Sequence, residues 1–233
     1  MPIVGASTKT VQDGLTRAQN ELKGISLNVT DALDISNEIY QIVGTSSYYD
    51  WSEAAGTTFG TTKDIQDYAN VPADFRRLKA AWRNDDSSTF TPMVPLAIRE
   101  QLTKSNIRSP AYAISQENAN FRLDARSDQT RTGTGQWAIV FEYYKMPKRL
   151  NALSDLFEFD DSKFEVYASG VIARTAEFIR DERAGQWGGR NNVGQFVGSG
   201  LWGKFAALLN NMVREDELAS GVEVYAPTES LSM

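Results

Sequence analysis

Four carboxylates, Glu158, Asp160, Asp161 and Glu165, crowd the entrance to a stretch of helical periodicity in this 233-residue chain. Paired carboxylates shuttle protons in glycoside hydrolysis, and clustered ones hold divalent cations. Their spacing matches no metal-binding loop. Acids at a helix start also cap free N–H groups and are favoured by the helix macrodipole, so a structural role accounts for them without a reaction. The remaining residue supply is narrow, because the chain contains no histidine and no cysteine. Serine triads, papain-like dyads, zinc hydrolases, thiolate metal sites and disulfide frameworks are excluded. Carboxylate chemistry, Ser–Lys chemistry or none is left.

Two glycine motifs invite a phosphate. Gly198-Ser199-Gly200-Leu201-Trp202-Gly203 fits G-x-G-x-x-G. Dinucleotide binding also needs a strand before it and a parallel βαβ unit around it, and the sequence shows neither. Gly203-Lys204-Phe205 fails as a phosphate loop because phenylalanine cannot ligate magnesium. Arg174, Arg180, Arg183 and Arg190 alternate with Glu177, Asp181 and Glu182. Mixed signs read as a solvated face or an ion-pair seam between subunits, not as a nucleic-acid patch. Asn28-Val29-Thr30 fits a glycosylation sequon, which has no meaning without a secretory signal. The expectation is that no residue is catalytic, binds a cofactor or holds a metal.

The elements that would position these residues belong to an ordinary globular chain, 41% hydrophobic and 23% charged. Its 24 basic and 30 acidic residues give a net charge of −6, so duplex DNA would slide past rather than be gripped. The apolar run Ala138–Phe141 is far too short for a bilayer, and MPIVGASTKTVQDG lacks a signal-peptide pattern, so no membrane partner is expected.

Residues 1–25 read as an arm or weak helix ordered by a neighbour. From Thr30 or Asp31 as cap, Ala32, Ile35, Ile39, Ile42 and Val43 recur at helical spacing until Gly44 followed by Thr45-Ser46-Ser47 ends the helix. Aromatics among turn residues over 45–74 read as short strands and loops; Phe75–Trp82 fits strand or helix, and Leu96–Leu102 a short helix. The period becomes two between Ala111 and Met146, with a turn at Glu117–Asn120 and a flexible loop at Ser127–Gly135. Trp137, Ile139, Phe141 and Tyr143 make one strand face and Ala138, Val140 and Tyr144 the other, as in a central strand or one meeting another subunit. After Pro147 the pattern turns helical, with Phe164, Tyr167, Ala168, Val171, Thr175, Phe178 and Ile179 on one stripe. Gly185–Gly200 is a glycine-rich break, and a last helix over about Leu201–Leu218 buries Leu201, Phe205, Leu208, Leu209 and Met212. The fold class expected is α+β: a helical core with an antiparallel β-sheet inserted between N-terminal and C-terminal helices. The division expected is an arm over 1–25, a core over 26–187, and a glycine-rich loop, C-terminal helix and tail over 188–233.

The stretch TTFGTTKDIQDYANVPADFRRLKAAW, centred on Phe59 to Leu78, resembles the head-to-tail adaptor (connector) proteins of tailed bacteriophages. There an aromatic-Thr-Thr segment leads to a tyrosine, then a Leu- or Val-Pro-x-Asp-Phe step, then a strand. Phe90-Thr91-Pro92-Met93 with Leu96, Tyr112-Ala113-Ile114, and Phe141-Glu142-Tyr143-Tyr144 with Pro147 and Leu150 follow in the family's order. Ile35 to Ile39 with Asp50-Trp51 resembles its first helix, and Ala168, Gly170, Ala173 and Glu177 the last helix of its core. The likeness runs over roughly residues 30–185.

The resemblance implies a dodecameric ring of this chain beneath the portal, in the neck of the virion after assembly in host cytoplasm. Partners would be further copies of itself, the portal protein, tail or nozzle proteins, and genomic DNA passing through an acidic lumen without specific binding. The tails Met1–Gly24 and Ser220–Met233 and the loops Ser127–Gly135 and Gly185–Gly200 are the contact candidates. No cofactor and no catalysis are implied. Two other readings remain: another neck or tail-tube terminator protein, and a carboxylate hydrolase acting through Glu158–Glu165. Glu165→Gln and Asp161→Asn variants assayed on polysaccharides separate the last from the others.

Overall fold

A computed structural model describes residues 7–47, 52–56, 59–61, 66–84, 90–95, 111–117, 120–126 and 137–219. The chain divides into two compact units, one made of Met1–Trp51 with Pro147–Met233 and the other of Ser52–Met146. The first is helical and the second is built of strands, so the sheet region is inserted between N-terminal and C-terminal helices, as α+β periodicity predicts.

In the helical unit, α1 (Val11–Leu22) begins with a capping box: Thr10 Oγ1 accepts from Asp13 N, and Asp13 Oδ2 accepts from Thr10 N at 2.8 Å. Val11, Leu15, Ala18 and Leu22 are buried along one face, so this part of the expected arm is a packed helix of its own unit. The second helix, α2 (Val29–Thr45), is capped by Asn28, whose Oδ1 accepts from Asp31 N at 2.8 Å. Thr30 and Asp31, the expected caps, therefore lie inside the helix. The helix ends within the expected Gly44-Thr45-Ser46-Ser47 stop, with Thr45 its last residue and Ser46 its C-cap. The last carbonyls are taken by hydroxyls, Thr45 Oγ1 donating to Gln41 O and Ser46 Oγ to Val43 O, each at 2.7 Å.

The chain after Pro147 is irregular, not helical, with a turn at Ala152–Asp155, up to a 3-10 turn at Asp161–Lys163. Alternation explains the difference: Phe157 and Phe159 point inward while Glu158 between them is half-buried. The segment is held by Asn37, whose side chain donates to Leu150 O at 2.9 Å and accepts from Leu150 N at 2.8 Å. Next, α3 (Phe164–Phe178) is buried on nearly every side, because α1, α2 and the last helix, α4 (Gly200–Ala219), all pack against it. The expected stripe holds from Phe164 to Thr175. It fails at Phe178 and Ile179, which are exposed where the helix ends. An aromatic cluster of Tyr40, Phe157, Phe159, Phe164 and Tyr167 fills one end of this core, with Phe157 and Phe159 stacked at 4.8 Å. On α4 the buried face is Trp202, Phe205, Ala206, Leu209 and Met212.

The second unit holds two sheets among its described residues, where periodicity alone suggested one. In the first, β1 (Glu53–Ala55) and β2 (Phe59–Thr61) both pair with β9 (Trp137–Lys145), which pairs on its other side with β4 (Phe75–Asn84), followed by β5 (Phe90–Pro92), all antiparallel. In the second, β3 (Gln66–Asn70), β8 (Asn120–Arg126) and β7 (Ala111–Glu117) are antiparallel, and the two-residue β6 (Val94–Pro95) adds in parallel to β7. The ambiguous segment Phe75–Trp82 is thus strand, β9 is central as its two apolar faces require, and the β7–β8 pairing closes at Glu117 and Asn120. Phe75, Ala81, Met93, Leu123, Ile139, Phe141 and Tyr143 form the core of this unit. The readings at Tyr48–Trp51, Leu96–Leu102, Ser127–Gly135 and residues 220–233 lie outside the described residues.

Back in the helical unit, the glycine-rich break contains a hairpin of β10 (Trp187–Arg190) and β11 (Phe196–Gly198). Its local signal is an Asn-Asn-Val-Gly turn between two aromatics.

Candidate functional site

The four carboxylates that open the chemical question are drawn to four different partners. Asp161 clasps the N-terminal segment: its Oδ1 accepts from Ser7 Oγ at 2.8 Å and Thr8 N at 3.0 Å, and its Oδ2 accepts from Thr8 Oγ1. The Thr8 and Ser7 hydroxyls hold its carboxyl below the usual carboxylate range. Asp160 caps the 3-10 turn, accepting from Ser162 N at 2.7 Å. Glu158 accepts from Lys148 N at 3.0 Å and Tyr40 OH at 3.3 Å, while its own N–H donates to that phenol oxygen at 3.0 Å. Glu165 makes a two-pronged ion pair with Arg17, at 2.6 and 2.8 Å.

Three of the side chains thus tie α3 or its approach to another segment, Asp161 to the N-terminal segment, Glu158 to α2 and Glu165 to α1, while Asp160 caps its own turn. Paired acid–base catalysis needs two carboxyl groups facing one substrate position, with one of them pushed upward to carry a proton. Asp161 shifts the opposite way. Among the described residues no group of three or more carboxylates gathers as a cation shell.

The G-x-G-x-x-G run does stand between a strand and a helix, but β11 belongs to an antiparallel hairpin. The amides that would cradle a phosphate already have carbonyl partners. Leu201 N donates to Arg183 O at 2.9 Å, Trp202 N to Ala184 O at 3.2 Å and Gly203 N to Ser199 O at 3.0 Å. Gly200 has φ +58°, and a Cβ there would lie 2.5 Å from Arg183 O. Its glycine is required by the chain's own close approach.

The mixed-charge face is organised within the unit. Arg174 bonds Glu38 Oε2 at 2.7 Å and Glu177 Oε2 at 3.1 Å, tying α3 to α2. Arg183 forks onto Asp181, whose carboxyl that guanidinium, with the Arg183 amide, pulls down to about 2. Arg190 is different: its guanidinium stacks over Phe196 at 4.7 Å and donates to Ser46 O at the end of α2, so it fastens the hairpin to that helix.

Sequence periodicity missed the hairpin and its mounting on α4 and α2. Trp187 packs on Phe196 (5.9 Å), Trp202 (5.2 Å) and Phe205 (5.3 Å). From α4, Asn210 lies along the strand edge, accepting from Phe196 N and donating to Phe196 O, both at 2.8 Å. Its side-chain amide imitates a neighbouring strand and closes the edge at that residue. The turn is pinned by Asn191, whose Oδ1 accepts from Val193 N at 3.1 Å and Gln195 N at 2.9 Å. Such an element presents a surface rather than a reaction. No helix among the described residues is long and apolar enough to cross a membrane.

Comparison with known proteins gives one family. Its model, described as SU10 adaptor protein, matches residues 9–221, spanning both units. No curated protein matches the chain.

Proposed function

The chain belongs to the SU10 adaptor protein family, and from that premise we propose that it is the head-to-tail adaptor of a tailed bacteriophage. Copies would form a dodecameric ring beneath the portal, join the DNA-filled capsid to the tail, and line the passage that the genome takes. The protein would reside in the neck of the virion and carry out no reaction of its own.

The observation that carries this reading is the family match across nearly the whole chain. Three features support it. The carboxylates best suited to chemistry are committed to holding segments together. The glycine motif's amides are used internally. The negative charge is also unevenly placed: the helical unit has 12 basic against 19 acidic residues, whereas the strand unit has 12 against 11. A lumen walled by the helical unit would repel the phosphate backbone and let DNA pass.

Mass measurement of the purified protein, alone and mixed with portal, tests the proposal. A closed multimer is expected in at least the mixture; a monomer in both at assembly concentrations refutes it. Particles made without the protein are expected as filled or leaking heads lacking tails, and complete infectious virions would be the contrary result.

A further inference from the structure

Val193 sits at the tip of the β10–β11 hairpin with 77% of its surface exposed. The turn beneath it is fixed by four hydrogen bonds centred on Asn191, with Gly194 supplying φ +81°. The hairpin is in turn bolted to α4 by Asn210 and to α2 by Arg190. A valine held rigidly in water loses little conformational freedom on docking, which is how a binding knob is pre-organised.

A socket of matching size lies elsewhere on the same unit. A cavity of about 80 Å³ opens between α1, the start of α2 and α3, its floor and lip made by Leu15, Ala18, Ile25, Leu27, Val29 and Ala32, with Leu153 and the polar Gln12, Gln19 and Thr175 completing the wall. Val29 forms an apolar lip, 57% exposed. An apolar cavity of about 150 Å³ takes benzene with its six carbons, so this one takes about three, the number in a valine side chain.

The placement of knob and socket decides what can fill what. Socket residue Val29 is the first residue of α2, and Arg190 anchors the hairpin at Ser46, just past its end. The 17 residues of that helix put the two ends about 25 Å apart. The start of β10, Trp187, lies beside Glu38 in the middle of α2 and its end, Arg190, at Ser46, so the hairpin runs away from Val29 and carries its tip away from its own socket. Charge agrees with an encounter between copies. Asp31 and the exposed Asp34 stand in the first two turns of α2 by the socket, and the cation nearest the tip in sequence is the exposed Arg190, whose guanidinium also bonds Ser46 O.

We propose that the hairpin tip of one copy inserts Val193 into the socket beneath Val29 of the next. The surfaces are different patches, so the contact is heterologous and propagates head to tail, closing into a ring when the rotation per copy allows. This inference rests on the ring reading above and names the contact that would build it.

The absence of native cysteine makes a direct test available. In the Val29→Cys/Val193→Cys double variant the two thiols of one copy are too far apart to bridge, since a disulfide needs Cα atoms within about 7 Å. Oxidation is expected to give a ladder of cross-linked multimers on a non-reducing gel, with each single variant stopping at dimer. Val193→Asp, folded by circular dichroism, is expected to weaken self-association about tenfold or more, from the loss of one buried valine. If wild type assembles, no ladder forms and Val193→Asp assembles equally well, this contact is overturned and the ring stands. If wild type stays monomeric alone and with portal, the ring reading falls and the contact with it. Where the two readouts disagree, the cross-link decides.

Discussion

Gly170 is where three helices meet, and replacing it sets two opposed effects of known size against each other. It lies in the middle of α3, and a Cβ added there would stand 2.6 Å from Ile39 Cγ2 on α2 and 2.9 Å from Phe205 Cε2 on α4. Both neighbours are fully buried, so neither can swing into solvent. Alanine is favoured over glycine in a helix interior by about 1 kcal/mol. Forcing a methyl into a filled core costs about 1–3 kcal/mol, and distances this far inside contact place Gly170→Ala at the upper end. The net expectation is a loss of about 1–2 kcal/mol, read as a fall of on the order of 5 °C in Tm by calorimetry or circular dichroism. Ile39→Leu moves the colliding branch from Cβ to Cγ, so the double variant should lose less than the sum of the two singles. A higher Tm for Gly170→Ala, or strict additivity with Ile39→Leu, would show that propensity outweighs packing and that the close approach of the three helices does not depend on the missing side chain.

Asp161→Asn should release the N-terminal clasp: faster hydrogen exchange is expected at residues 7–10 with α3 unchanged, and equal protection there would refute the clasp. Asp13, Asp155, Asp161 and Asp181 all have folded-state pKa values below their ordinary 3.8. Their contribution is therefore complete above about pH 4 and drains away as pH falls toward the lowered values, about 2 for Asp181; an acid melt flat across that range would contradict the assignments. Burial, with the bond from its hydroxyl to Asp74 Oδ1 at 3.0 Å, pushes the Tyr143 phenol up to about 12. Stability from it is intact below pH 10 and is lost as pH rises through 12, so Tyr143→Phe should remove one late step from the ultraviolet tyrosinate titration. Asn210→Ala strips both bonds from the Phe196 backbone and should cost about 1–3 kcal/mol, with exchange at Phe196 speeding up more than in the body of α4; uniform exchange across both would count against the edge-closing role.

Much of the fold was legible because local pattern and tertiary burial agree. The spacing of Ala32, Ile35, Ile39 and Val43 marks α2, and the two-sided apolar character of β9 marks a strand paired on both sides. The α+β class follows from the change of period along the chain. Errors cluster where a residue's role is set from far away. Residues 11–22 look weak alone, yet their buried face rests on α3 about 150 residues downstream. The run from Pro147 to Asp160 resembles a helix entrance, but Asn37 and the α1 amides fix it in a non-helical course with a turn at Ala152–Asp155.

The candidate site divides along the same line. Residue supply excludes histidine and thiol chemistry before any coordinates exist, because an absent side chain cannot be positioned. Proximity in sequence, however, says little about where side chains point. Glu158, Asp160, Asp161 and Glu165 are neighbours in the chain, and alternating direction along an extended segment followed by a helix sends them to different partners. The hairpin tip and the apolar socket show the converse. Val193 and Val29 are 164 positions apart and individually ordinary in sequence. Only the packing of α2 against its neighbours makes one a knob and the other the lip of a hole, since exposure and cavity volume are properties of the assembled core and not of any local stretch.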